Sequence, residues 1–196
     1  MDPSVFVHPL ALCESDDVGP RTRIWAFAHV LDGARIGADC SVGGHAFVEG
    51  GAVLGDGVTV KNGVLLWSGV TVEDEVFLGP GAVFTNDASP RAPYPKGPAG
   101  WRATLVRRGA TVGANATVLS GLTIGPWAMV GAGGVVTGDV PGHAIVVGNP
   151  ARQAGWACRC GRTLPGELAC AACGRSYRLV DGGTLEVRSS ATGHGG

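Results

Sequence analysis

The sequence predicts an all-β protein, a parallel β-helix of about six triangular coils, and three observations carry that expectation. From Ile24 to Phe84 every sixth residue is apolar, in the series Ile24, Val30, Ile36, Val42, Val48, Leu54, Val60, Leu66, Val72, Leu78 and Phe84. A helix repeats its apolar face every three to four residues and a strand every two, whereas in a hexapeptide repeat each unit gives a short strand and a turn, and three units close one coil. Two positions before each member stands a smaller or branched apolar residue, among them Ala28, Ala34, Cys40, Ala46, Ala52 and Val58, so each unit points one large and one small group inward. The series breaks after Phe84 and resumes at Val106, Val112, Val118, Ile124, Val130 and Val136, which marks an inserted loop near 88–104.

Residues 1–22, with Pro3, Pro9 and Pro20, read as an N-terminal lead-in that covers the strand edges of the first coil; His8 is assigned no chemistry. Residues 23–152 form the β-helix domain, in which positions eighteen apart are vertical neighbours, about 4.8 Å away. That count places Trp67 between Glu49 and Thr85, Ser68 against Asn86 and Gly69 against Asp87. His29, Phe47, Leu65 and Val83 form an adjoining column, and His45 sits at the corner leading into it. Outward-facing Phe47, Leu65 and Trp67 do not suit a monomer's surface, so this wall is expected to lie against another subunit or a ligand.

The excursion Ala88–Thr104 contains Pro90, Pro93, Pro95 and Pro98 together with Arg91, Lys96 and Arg102. It reads either as a solvated, disordered loop or as a lid over a phosphate-bearing ligand of a neighbouring subunit. In the coils that follow, small residues leave backbone amides accessible, which suits a long thin ligand. The stretch Pro141 to Arg152 closes the helix, with His143 expected to be a surface turn residue.

The tail, 153–182, carries Cys158, Cys160, Cys170 and Cys173 as two pairs, each followed by Gly-Arg. This matches a Cys₄ zinc ribbon, although the first pair has one intervening residue where two are common; two disulfides or idle thiols are the alternatives. Four protein ligands leave no open position, so such a zinc is structural. Cys13 and Cys40 read as unpaired thiols, and residues 183–196, with His194, read as disordered. A formal charge of −1 gives no electrostatic case for nucleic acid or an acidic membrane. No apolar run reaches the length of a membrane span and the start has no leader pattern, so a cytoplasmic location is expected.

The coils, the interrupting loop and the closing Gly-Asn-Pro-Ala-Arg152 resemble the hexapeptide-repeat acyltransferases. More narrowly, Arg23–Val30, Val60–Asp74 and Val76–Arg91, with their Phe-Thr-Asn86 and Pro-Arg91, resemble the N-acetyltransferases of nucleotide-linked 3-amino sugars, and relatives with a cysteine-bearing tail after a Gly-Trp, here Gly155-Trp156, also occur. The resemblance implies a left-handed β-helix, a homotrimer with acetyl-CoA in the groove between two prisms, and sites shared by two chains. It departs at Ser68, where relatives often carry a larger acidic or amide side chain. It also implies that a neutral sugar amine attacks the acetyl thioester while backbone N–H groups hold the oxyanion.

Within that expectation Asn86 and Asp87 orient the amine and ring hydroxyls, with Asp87 able to accept a proton; an Asn-Asp turn without chemistry is the competing reading. His45 is a candidate general base, and Ser68, Trp67, Glu49, His29 and Arg91 are candidate substrate contacts; subunit packing is the alternative for the histidines, Glu49 and Trp67. Asn115, Arg107, Arg108 and Arg152 are candidates for coenzyme binding. The nucleotide is UDP or dTDP. O-acetyl transfer, transfer to a 4-amino sugar, and a non-catalytic scaffold compete with this reading; a carbonic anhydrase is disfavoured because three converging coil histidines are missing.

Overall fold

The computed structural model describes residues 1–180 and 184–189. Its strands stack into three parallel sheets, one on each face of a triangular prism. The first face runs Phe6–Val7, Arg23–Ile24, Ser41–Val42, Thr59–Val60, Phe77–Leu78, Thr111–Val112, Met129–Val130 and Ala144–Val147, with Arg152–Trp156 added antiparallel. The second runs from Leu12–Cys13 to Val135–Val136, and the third from Arg35–Ile36 to Thr123–Ile124. The registers Ile24↔Val42, Val42↔Val60, Val48↔Leu66 and Leu54↔Val72 are the eighteen-residue count made physical.

Eight parallel strands on the first face exceed the expected six coils, because both ends contribute rungs. Residues 1–22 do not merely cover the stack: Phe6–Val7 pairs with Arg23–Ile24, Leu12–Cys13 with His29–Val30, and Val18 bridges Ile36. Inward residues of the repeat are fully buried, Ile24, Leu66, Leu78, Phe84 and Ile124 among them, and Cys40 fills its small-residue slot at 2% exposure. The corners need glycine where rungs touch. A Cβ on Gly79 would stand 2.6 Å from the backbone nitrogen of Ala114, closer than any side chain tolerates.

The insertion changes the count. Thr104 already pairs with Val70, and Val72 with Val106, so rungs on either side are thirty-four residues apart there. Gly69 consequently neighbours Ala103, not Asp87 as the simple count required, since the chain leaves the prism at Asp87. The excursion is exposed and carries one 3₁₀ turn, Pro98–Gly100.

The tail packs on the last rung. Its core holds Cys158, Leu164, Cys170, Tyr177 and Leu185, and Trp156 touches both this cluster and the prism interior. Ser176–Val180 and Thr184–Ser189 pair antiparallel, so an ordered strand lies inside the segment expected to be disordered, its sequence too short and polar to announce a partner. Residues 181–183 and 190–196, including His194, lie outside the described residues. His143 is not a surface residue: it is 4% exposed because the returning chain covers it, with Nδ1–H donating to the Ala157 carbonyl at 2.8 Å. Among the described residues no helix is long and apolar enough to cross a membrane.

Candidate active site

On the second face the expected wall assembles in part. Phe47 lies between His29 and Trp67, with ring centroids 5.6 and 5.3 Å away. Glu49 accepts the Ser68 backbone N–H at 2.7 Å, so this carboxylate organises the corner beside Trp67. The Ser68 hydroxyl lies over Gly51, where an added Cβ would stand 2.6 Å from it. His29 approaches Glu14 at 3.4 Å. His45 does not join them: it is exposed at another corner, stacked on Phe27 at 5.0 Å and lining a separate depression with Trp25, Lys61 and Asn62.

Where the chain departs from the prism, Asp87 stands at the rim of a cleft of about 400 Å³ bounded also by Thr85, Pro90, Arg102, Leu119 and Ser120, and Asn86 lies between Thr85 and Asp87 in the chain. The Asn86 carbonyl accepts the N–H of Arg102 at 2.9 Å, which pins the loop's return to its departure. Asp87 is held more tightly: Lys96 reaches back across the loop to its carboxylate at 2.5 Å, and the Ser89 N–H donates to the same oxygen at 2.8 Å. These contacts, Lys96 first, hold the Asp87 carboxyl below the usual carboxylate range. A carboxylate so stabilised is a weak proton acceptor and a good hydrogen-bond acceptor. Lys96 was visible in the sequence only as one loop cation among three.

Two further groups line the cleft that sequence reasoning missed as site residues. Arg102 forms no ion pair among the described residues. Ser120 is 6% exposed, and its hydroxyl finds no hydrogen-bond partner among the described residues. Burying such a group unpaired costs about 1–3 kcal/mol. Arg91, fully exposed in the loop, reaches only the Pro90 carbonyl, at 3.5 Å.

The candidate coenzyme residues divide. Arg107 pairs with Glu73 at 3.3 Å, and Arg108 with Glu75 at 3.2 Å, so neither is a free phosphate partner. The shifted count explains both, for residue 107 stacks on 73 across the insertion. Asn115 turns a corner at φ 55° with its side chain over Gly81, and Arg152 is exposed beside a small cleft of about 250 Å³ near Asp139.

In the tail the four cysteine sulfurs lie within 4.8 Å of one another, with Cys158 and Cys173 at 3.4 Å and Cys160 and Cys170 at 3.6 Å. A tetrahedral zinc with bonds of about 2.3 Å has sulfur–sulfur edges of about 3.8 Å, so the donor set fits such an ion. Burial pushes the Cys158 thiol up to about 12, while the Arg175 backbone N–H brings Cys173 down to about 6. The Tyr177 hydroxyl links Cys158, at 3.1 Å, to the Arg159 N–H, at 3.0 Å, and the Arg159 guanidinium lies 5.2 Å from the Trp127 ring on the prism.

The family described as bacterial transferase hexapeptide (six repeats) matches residues 17–50, and the hexapeptide repeat of succinyl-transferase matches 108–138. The chain is 47% identical over 179 residues, 90% of its own length and 92% of the relative's, to the dTDP-3-amino-3,6-dideoxy-alpha-D-galactopyranose 3-N-acetyltransferase of Aneurinibacillus thermoaerophilus. Among solved structures, the UDP-N-acetylglucosamine acyltransferase of Francisella novicida shares the fold at 13% identity and a TM-score of 0.54, over 79% of this chain and 70% of that one. A GDP-perosamine N-acetyl transferase variant from Caulobacter crescentus, solved with CoA and GDP-perosamine, is similar at 22% identity and a TM-score of 0.49 over 78% of this chain; the chain spans about half of it, 54%. Full-length likeness at 47% identity, on coils that two hexapeptide families match, places the chain in the hexapeptide-repeat acyltransferase family.

Proposed function

We propose that the protein is an N-acetyltransferase that moves the acetyl group of acetyl-CoA to the 3-amino group of a UDP- or dTDP-linked amino-deoxy sugar. The observation that carries this reading is the 47% identity to a 3-N-acetyltransferase of such a sugar over nine-tenths of both chains. The cleft supports it physically. An ionised Asp87 accepts a hydrogen bond from the amine and aims its lone pair, while the Asn86 side-chain amide, which makes no hydrogen bond among the described residues, is available to a ring hydroxyl. The neutral amine attacks the thioester carbonyl, a C–N bond forms, the C–S bond breaks, and the amine proton leaves with the coenzyme thiolate. A sugar amine titrates close enough to neutrality that a strong base is not required, so positioning supplies much of the acceleration. Backbone N–H groups at the glycine-rich corners are the oxyanion donors in this scheme.

The working unit in this reading is a homotrimer. The half-buried column His29, Phe47, Leu65 and Val83, with Trp67, is the apolar surface that such packing would cover. The tail holds one structural zinc through Cys158, Cys160, Cys170 and Cys173, a site that calls for reduced thiols and so for the cytoplasm. The test is acetyl-CoA consumption by the full chain with a panel of UDP- and dTDP-linked 3-amino and 4-amino sugars. Product acetylated at the 3-amino nitrogen is expected. Exclusive 4-amino or hydroxyl acetylation would replace the acceptor assignment, and no thioester cleavage with any acceptor would leave a non-catalytic scaffold.

A further inference from the structure

We propose that Ser120 is a substrate-binding residue whose hydroxyl bonds to a ring hydroxyl of the amino sugar at the floor of the cleft beside Asp87. The inference rests on the transferase reading and names a contact which that reading does not contain. It starts from an oddity: Ser120 is 6% exposed, and its Oγ is the buried side-chain polar atom left without a partner among the described residues. Folded proteins rarely bury a hydroxyl in this way unless another molecule completes it.

The location says which molecule. The register Phe84↔Val118, carried two residues on, puts Ser120 at the corner position of Asn86 on the neighbouring rung. The same cleft is bounded by the Asp87 carboxylate, by Thr85 and Thr137, and by the aliphatic side chains of Leu119 and Leu122. Hydroxyls and a carboxylate interleaved with aliphatic surface match a pyranose, which alternates hydroxyl edges with C–H faces. The thioester arm of the coenzyme offers a single hydroxyl and two amides, with no amine and no ring of adjacent hydroxyls to set against Asp87, Thr85 and Thr137 together.

The return of the loop passes close to this hydroxyl's turn. The stem of Arg102 lies over the Ser120–Gly121 turn, its Cδ only 3.0 Å from where a Gly121 Cβ would be. The returning loop therefore packs beside Ser120 at the edge of the cleft. Rotation of the Ser120 side chain to another staggered well, with a shift of the flexible Arg102 stem, presents the hydroxyl to the cleft.

The test uses the full chain, acetyl-CoA and whichever nucleotide 3-amino sugar the unaltered protein accepts. Ser120→Ala is expected to raise KM for the sugar about tenfold, a loss of about 1.4 kcal/mol in binding, while KM for acetyl-CoA stays within about twofold. The melting temperature of the ligand-free protein is expected to hold or rise, because the substitution removes an unsatisfied group. Ser120→Thr, which keeps the hydroxyl, is expected to recover part of the sugar affinity. An unchanged sugar KM would overturn the proposal, whatever the melting temperature, and leave a buried hydroxyl with no part in binding. A parallel rise in both KM values with a lower melting temperature would overturn it in favour of packing. Absence of turnover by the unaltered protein would remove the transferase reading itself, a result distinct from a neutral Ser120.

Discussion

Lys96 and Asp87 show how much a single side chain reaching back across a loop alters the chemistry available at a corner. With the ammonium in place the carboxylate is ionised throughout the neutral range, which suits an orienting role better than proton abstraction. Asn86→Ala and Asp87→Ala are each expected to lower turnover by about tenfold or more, about 1.4 kcal/mol of barrier, with melting temperatures near that of the unaltered protein; steady-state rates and calorimetry check both. Lys96→Met should let the Asp87 carboxyl rise toward its ordinary value. Because the folded-state value is depressed, the stabilisation exists above the unfolded value of about 3.9 and is lost as pH falls through the folded one. The stability gap between the unaltered protein and Lys96→Met should therefore be present at neutral pH and close on acidification below about pH 4, as followed by thermal melts.

At the scale of elements, the coils and the place of their interruption were legible, and the change that the insertion makes in the vertical count was not. Side chains six apart are forced inward by geometry alone, so Ile24, Leu66 and Phe84 could be placed from spacing. Arg107 and Arg108 could not, since the insertion replaces the eighteen-residue count by thirty-four and brings them onto Glu73 and Glu75. His143 failed for a related reason: its cover comes from Ala157 and Tyr177, fourteen and more residues downstream, and no local pattern encodes that return. Ser120 carries no sequence signal at all, because whether a corner hydroxyl finds a partner is decided by the side chains folded around it. The four cysteines come together despite the short first spacing, their sulfurs lying within 4.8 Å of one another, because the two turns that carry them fold onto one small core. Metal analysis should find about one zinc per chain, and Cys170→Ser should lose it and loosen the tail while the prism remains folded, as read by hydrogen exchange.

For the molecule as a whole, the buried histidine ties stability to pH. Burial keeps the His143 imidazole neutral and holds its titration below the usual value, with the Ala157 contact opposing only in part. The unfolded chain takes up this proton first as pH drops, so stability should decline from about pH 6.5 down to the depressed folded value and then level off. His143→Gln should flatten that decline below about pH 6.5, as measured by melting temperature. The end of the stack at which this histidine sits has a wider consequence. A rod of identical rungs has no intrinsic stopping point, and two such rods could in principle fuse head to tail into a filament. Laying Arg152–Trp156 in the opposite direction across the final rung of the first face ends the parallel run there, so an incoming copy cannot simply continue that face.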